Sequence, residues 1–470
     1  MSTTLLVLEI LAYSLALWLG LYLIARDLGN PSLRYAGLGL VVYALSLALA
    51  MLARYAPTIT TAELLTRLHW SMLFLPAFFW LGTITYLLPQ SQPTRSWLVR
   101  AWEYVLLPVA IPLYILTASA NLVLDFSQGT GDPQPGPAYW IFVVAVVVPL
   151  LVALFFVWQT FRAAGRKTAL GLLLVATIFV ALGAGLLTYP FSWLPRTWLL
   201  VGISMDFIAL GIAIALLDAF EEGESFLPHF ARSFDAALLF VLLFGGLVVL
   251  TMMLSTGITF PMLVLLLTII AGAICTQTFS DPLQTALDKL SFAAFPQLRH
   301  QRVDLRTTAN ILPRIDESLD PNTMDNAEFD RLTRRALSHL GNLPRLATSP
   351  LTRLAIVQLR LAERNGSVDT LERATELKRL LTESIDQLKP PGDADFGTSD
   401  EWRYYNALYF PYVAGLKPYS RRVDNDDLDP ASKEALDWFK TYVPERTLYN
   451  WQNAAARLVA QNLREKTPAN

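Results

Sequence analysis

Charge is segregated along this chain. Residues 1–280 hold 11 of its 37 Lys and Arg and 12 of its 39 Asp and Glu. The last 190 residues hold the other 26 and 27. Lipid tolerates the first part and rejects the second, because an ionised side chain at the bilayer centre is costly. A hydrocarbon core needs roughly 20 apolar residues per spanning helix. Nine stretches meet this: about 4–25, 35–54, 68–88, 97–117, 139–160, 168–189, 198–217, 235–254 and 259–279. The expected fold class is therefore all-α: a polytopic helical bundle over 1–280 followed by a helical tail.

The N-terminus lacks a positive segment and a small-residue cleavage site and carries Glu9, so it reads as a first permanent span. Orientation follows Lys and Arg. With the N-terminus outside, the inner connections carry Arg26, Arg34, Arg95, Arg100, Arg162, Arg166, Lys167 and Arg232. The outer ones carry only Arg54, Arg67 and Arg196. Nine spans then place the charged tail in the cytoplasm, as expected of a multi-pass protein of the bacterial inner membrane. The outer loop from Ser119 to Pro137 has no Lys or Arg and is rich in Gly and Pro. Pro76, Pro108, Pro112 and Pro149 should kink their spans. Gly183, Gly185, Gly245 and Gly246 offer close helix approach.

Four carboxylates fall inside spans: Asp235 opens the eighth, and Glu9, Glu103 and Asp206 are the ligand- or proton-sensing candidates. Glu9 and Glu103 lie near span ends, where interfacial water lowers the cost. Asp206 lies mid-span, where insertion scales put the cost of a charge at about 2.5–3.5 kcal/mol. It should be paired, protonated or facing water, and no Lys or Arg lies at its depth, so it is expected to line a polar cavity, as a ligand- or proton-sensing group would, or to bond to a neighbouring hydroxyl. The lone Cys275 forms no intramolecular disulfide, and it reads as a small packing residue.

After span nine, Pro282 opens a segment with Leu283, Leu287, Leu290 and Ala294 at helical spacing. Residues 281–312 read as a juxtamembrane amphipathic helix and connector. A cytoplasmic helical region follows at 313–391: a loop to about 327, then helices near 328–341, 351–364 and 370–388. Asn365-Gly366 marks a turn, and Pro390-Pro391-Gly392 ends the region. Residues 392–400 read as a linker, and 396–470 as a small helical domain. Within it, Trp402, Tyr404, Tyr405, Tyr409, Phe410 and Tyr412 are dense enough for a core or a partner surface.

The third span, Leu68-His69-Trp70-Ser71-Met72-Leu73-Phe74-Leu75-Pro76, and the end of the seventh, Leu210-Gly211-Ile212-Ala213-Ile214-Ala215-Leu216-Leu217, make the first 220 residues resemble a known module. It is the N-terminal seven-helix sensor region found ahead of many bacterial histidine kinases. The resemblance implies that the membrane part senses a ligand or the state of the envelope. The kinase half of that family is not matched. Ser338-His339-Leu340 lacks the acidic residue expected after a phosphoacceptor His, and the tail has no glycine-rich phosphate loops and no Walker loop. His339 reads as a polar-face helix residue. No cofactor is implied, and the chain is expected to be non-enzymatic.

The C-terminal run Trp438-Phe439-Lys440-Thr441-Tyr442-Val443-Pro444-Glu445-Arg446-Thr447-Leu448-Tyr449-Asn450-Trp451 resembles the turn and recognition helix of helix-turn-helix domains. That likeness implies an outer face of Arg446, Asn450, Asn453 and Arg457, side chains suited to base edges. Leu448, Trp451, Ala455 and Leu458 would form the inward stripe. Pro444 replaces the usual Ser cap. Residues 396–470 carry ten Lys and Arg against ten Asp and Glu, whereas DNA affinity normally needs a net basic face. The partners expected are the lipid bilayer and either a cytoplasmic protein or DNA, with a homo-oligomer possible. A sensor or regulator is the first functional expectation. A transporter with a regulatory tail and a membrane scaffold are the alternatives.

Overall fold

The computed structural model describes residues 3–88, 93–126, 133–163, 168–188, 196–222, 226–280, 283, 320–363, 369–392, 395–419 and 428–467. The expected juxtamembrane helix and connector at 281–312 lie, apart from helical Leu283, outside these residues. So does the turn at Asn365-Gly366. The chain divides into two compact units: Met1–Asp218 with Phe230–Leu287, and Ala219–His229 with Asp288–Asn470.

The first unit is a helical bundle. Its elements are α1 (Thr3–Arg26), α2 (Pro31–Arg54), α3 (Ile59–Met72), α4 (Leu75–Leu87), α5 (Pro93–Ala101), α6 (Leu107–Ser119), α7 (Tyr139–Ala163), α8 (Thr168–Thr188), α9 (Arg196–Glu222), α10 (Phe226–Phe240), α11 (Gly246–Thr251) and α12 (Phe260–Thr278). Among the described residues seven helical segments are long and apolar enough to cross a membrane: Thr4–Arg26, Pro31–Arg54, Ile59–Leu87, Arg95–Ser119, Tyr139–Arg162, Phe230–Ser255 and Phe260–Thr278. The spans expected at 168–189 and 198–217 fall on α8 and α9. Their apolar stretches there, Leu173–Leu182 and Val201–Leu216, are shorter.

The prolines explain the irregularities. The third span is two helices, broken at Leu73–Phe74, because Pro76 offers no N–H to the preceding turn. Pro108 follows a π-helical turn at Trp102–Leu106 that joins α5 to α6. The third span starts at Ile59, nine residues before the apolar run, because Thr58 caps it by accepting from the Thr61 N–H at 3.2 Å. Its polar first turns are held by an Arg67–Glu63 pair one turn apart. The Gly- and Pro-rich outer loop contains a two-stranded antiparallel ribbon, β1 (Leu124–Asp125) with β2 (Gln134–Pro135), which the sequence pattern did not predict.

Among the described residues close helix approach falls on glycines other than Gly245 and Gly246, and the surroundings of Gly183 and Gly185 lie outside them. A Cβ on Gly37 of α2 would stand 2.5 Å from the Gly20 carbonyl oxygen of α1, and one on Gly20 would stand 2.8 Å from that of Gly37. The two backbones touch there. Gly211 likewise meets Leu19 and Leu40, and Gly82 meets the Trp102 ring. Gly245 has only ordinary contacts, and Gly246 faces open space.

The second unit holds α13 (Asn326–Ser338), α14 (Leu343–Ala347), α15 (Ala355–Glu363), α16 (Thr370–Asp386), α17 (Arg403–Leu408), α18 (Pro430–Tyr442) and α19 (Glu445–Lys466). Asp325, Asn342, Asp369 and Asp429 cap α13, α14, α16 and α18 through their side chains. The regions 313–391 and 396–470, expected as separate, share one core. Phe329, Leu332 and Leu337 of α13 and Leu377, Leu381 and Ile385 of α16 pack with Tyr405 of α17 and with Ala455, Val459 and Leu463 of α19. A second core joins Phe410, Leu436, Phe439, Val443 and Leu448. The expected linker takes part: Phe396 meets Phe410 and Trp438 edge-on, and a Cβ on Gly397 would collide with the Trp402 ring at 2.5 Å. The aromatic run is core. Trp402, Tyr405 and Phe410 are buried, and Tyr405 stacks on Tyr409 at 4.9 Å.

Candidate functional site

The bundle interior contains a short ladder of polar groups. On α9, Ser204 Oγ lies 3.1 Å from the Tyr43 hydroxyl of α2. Three residues further along α2, about 4.5 Å of helix rise, Ser46 meets His69 of α3. His69 is 5% exposed, and its Nδ1 lies 2.9 Å from the Ser46 carbonyl oxygen. A carbonyl only accepts, so Nδ1 carries the proton and donates it. Ser46 Oγ lies 2.9 Å from the same nitrogen and donates to the His69 carbonyl at 3.4 Å. Three helices are thus tied by buried hydroxyl and imidazole groups. In an apolar interior such groups persist only when bonded.

Asp206 lies on α9 beside this ladder and is half-buried. Among the described residues it makes no side-chain hydrogen bond or ion pair. Nor does it line the apolar cavity between α2, α4 and α9. That cavity, of about 10 Å³, is walled by Gly39, Leu40, Pro76, Phe207, Leu210 and Gly211 among others, and it is almost wholly apolar. That is room for about one water. Trp80 also lines it, and its buried indole N–H has no partner among the described residues.

The other two candidate carboxylates have separate partners. Glu9, 3% exposed, forms an ion pair with Arg54 at the far end of α2. Glu103 is exposed within the π-turn and accepts a 2.5 Å hydrogen bond from the Tyr86 hydroxyl. The three acids expected as sensing candidates therefore do not converge. His69, Ser46, Tyr43 and Ser204 were not singled out from the sequence. The available signal was His69, the one His of four inside an expected span.

In the second unit, Arg446, Asn450 and Arg457 of α19 are exposed and Asn453 is half-buried. Their spacing puts them on one face, and none bonds to a described residue. The helix begins without a side-chain cap, as Pro444 dictates. The Tyr419 hydroxyl holds the preceding turn by donating to the Val443 carbonyl at 2.5 Å, and Trp438 stacks on Trp451. The inward stripe differs from expectation. Leu458 is 38% exposed, and the buried line runs Leu448, Ala455, Ala456, Val459, Ala460, Leu463. Arg464 leaves the outer face to clasp the start of α13, donating to the carbonyls of Met324 and Asp325 at 2.7 and 3.0 Å. Asp429 stays well below the usual carboxylate range because Ser432 donates to it, so an anion stands at the α18 N-terminus. His339 ends α13 at its C-cap, half-buried, instead of lying on a helix face. Among the described residues no cluster of three His, Cys, Asp or Glu could hold a metal.

Fold and sites define the chain as an all-α protein with several helices of membrane-crossing length joined to a charged helical unit. No family model, no curated protein and no solved structure matches it.

Proposed function

We propose that the chain is a non-enzymatic membrane sensor or regulator. In this reading the bundle detects a stimulus and the second unit is the cytoplasmic output, in a bacterial inner membrane with the N-terminus outside. The observation that carries it is the packed polar ladder among the described residues of the bundle. The polar ladder is filled by side chains, ends at His69, and borders an apolar cavity of about 10 Å³. A transporter needs a connected polar path and room for substrate at mid-membrane. The exposed Arg446, Asn450, Asn453 and Arg457 face supports an output that contacts a macromolecule. Balanced charge around it favours a protein partner over DNA. A scaffold reading relied on an exposed aromatic patch, and the aromatic run is buried instead.

The test is hydrogen exchange on the full-length chain in lipid nanodiscs, comparing wild type with Tyr43→Phe and His69→Gln. A sensor predicts altered protection in 445–457 from these distant changes. Unchanged protection there in both variants refutes coupling. Salt-sensitive binding of duplex DNA, lost in Arg446→Ala and Arg457→Ala, would replace the protein-partner reading of the output.

A further inference from the structure

One face of α7 is exposed from end to end. Val144, Val148, Leu151 and Phe155 recur along it at steps of three and four, and all four are exposed. The opposite face, with Phe142, Ala153 and Val157, is buried where α7 packs on α4 and α8. The exposed stripe has none of the small residues that let two membrane helices approach closely. Its branched and aromatic side chains suit acyl chains instead. Exposed Trp140 and Trp158 close it at the two ends. The rise between them is about 27 Å at about 1.5 Å per residue. That is close to the ~30 Å of a hydrocarbon core, whose two boundaries favour tryptophan.

One turn beyond Trp158 stands exposed Arg162, its guanidinium carbon 3.8 Å from the centre of the Trp158 ring. Stacking on an aromatic ring holds the plane of a guanidinium and leaves its N–H edge open to an oxyanion. Among the described residues no carboxylate pairs with Arg162. Arg67 is the contrast: it lies 4.6 Å from the centre of the Phe126 ring, but Glu63 at 2.8 Å neutralises it. The ten residues that follow Arg162 in the sequence include Arg166 and Lys167 and no acid.

We propose that Arg162 and Trp158 bind the headgroup of one anionic phospholipid, whose acyl chain lies along Phe155 and Leu151. The phosphate accepts from the open edge of the guanidinium, the geometry in which arginine binds such groups. From Leu151 to Arg162 the helix rises about 16 Å, the depth of about one leaflet. A lipid fits the stripe better than a second copy of this chain, because an apolar track and an unpaired cation meet on one helix face. The site rests on the membrane reading of the bundle and is independent of the sensor reading.

Native mass spectrometry of the full-length chain in detergent, titrated with phosphatidylglycerol or phosphatidylcholine of matched acyl chains, counts the bound lipids. Arg162→Gln should bind the first phosphatidylglycerol about tenfold more weakly than wild type, the loss of one charge-assisted pair. Phosphatidylcholine, which carries its own cation, should bind wild type more weakly and lose less. Trp158→Leu, which keeps the charge and removes the platform, should also weaken phosphatidylglycerol, whereas Arg67→Gln should not. Equal phosphatidylglycerol affinity in wild type and Arg162→Gln overturns the site. Equal weakening of both lipids overturns its preference for an anion. Displacement of the lipid by inorganic phosphate at constant ionic strength overturns the lipid as occupant. A dimer that dissociates in Phe155→Ala overturns it in favour of a second copy. A wild type that holds no lipid of either kind overturns the membrane reading along with the site.

Discussion

Leu463→Ala tests whether the tail is one domain. Leu463 is fully buried and packs with residues from α13 and α16. The substitution deletes three buried carbons, about 2.4 kcal/mol at ~0.8 kcal/mol each. Incomplete collapse of the cavity raises this to about 3–4 kcal/mol. Against a typical domain stability of about 10 kcal/mol, that is a third of the total. Native-state hydrogen exchange on the full-length chain in nanodiscs provides the assay. Amides of α13 and α16, more than 70 residues away in sequence, should lose protection by about a hundredfold or more, since 1.4 kcal/mol is tenfold. Fast exchange confined to α17–α19, with α13 and α16 unaffected, would show that 396–467 is independent and the shared core energetically idle.

Arg54→Ala should destabilise the bundle by about 3–5 kcal/mol, because it strands the buried Glu9 carboxylate. The double variant with Glu9→Gln should recover most of that in a thermal unfolding assay in detergent, and equal damage in both would refute the pairing. Gly37→Val must separate α1 from α2, so it should cost about 1–3 kcal/mol in the same assay, with Gly246→Val near neutral. Burial raises the Asp386 carboxyl above its ordinary value at the C-terminus of α16. A raised folded value means protonation favours the fold, so this contribution is complete below about pH 3.9 and is lost as pH rises through the folded value. Asp386→Asn should therefore unfold in urea at slightly higher concentration than wild type at pH 7, and the gap should close at pH 3.

The charge segregation made the bundle legible, because lipid and water impose opposite demands on long stretches of chain. Helix starts were less visible where a cap extended a span into polar sequence, as Thr58 does for α3. The sites were harder. Asp206 stood out because it is a lone charge in an apolar run, but its surroundings come from other helices and no local pattern reports them. His69 was quoted only as part of an apolar motif, since its bond to Ser46 spans two helices. The tail's division failed for the same reason. Periodicity located α13, α16 and α19 well, yet a second buried stripe on α19 looks like an ordinary mix of Ala and Val. Only tertiary contact shows that it closes the core begun by Phe329.

That closure has a consequence for biosynthesis. Arg464 bonds to Met324, 140 positions earlier. Until the ribosome has released α19, the helices made before it lack Ala455, Val459 and Leu463 to cover them. Their apolar faces stay open while translation proceeds, and long-range closure of this kind is slow. A chaperone that engages nascent chains would therefore meet this protein at α13–α16. Damage to α19 would be felt first as aggregation and loss of protein, before any partner had been missed.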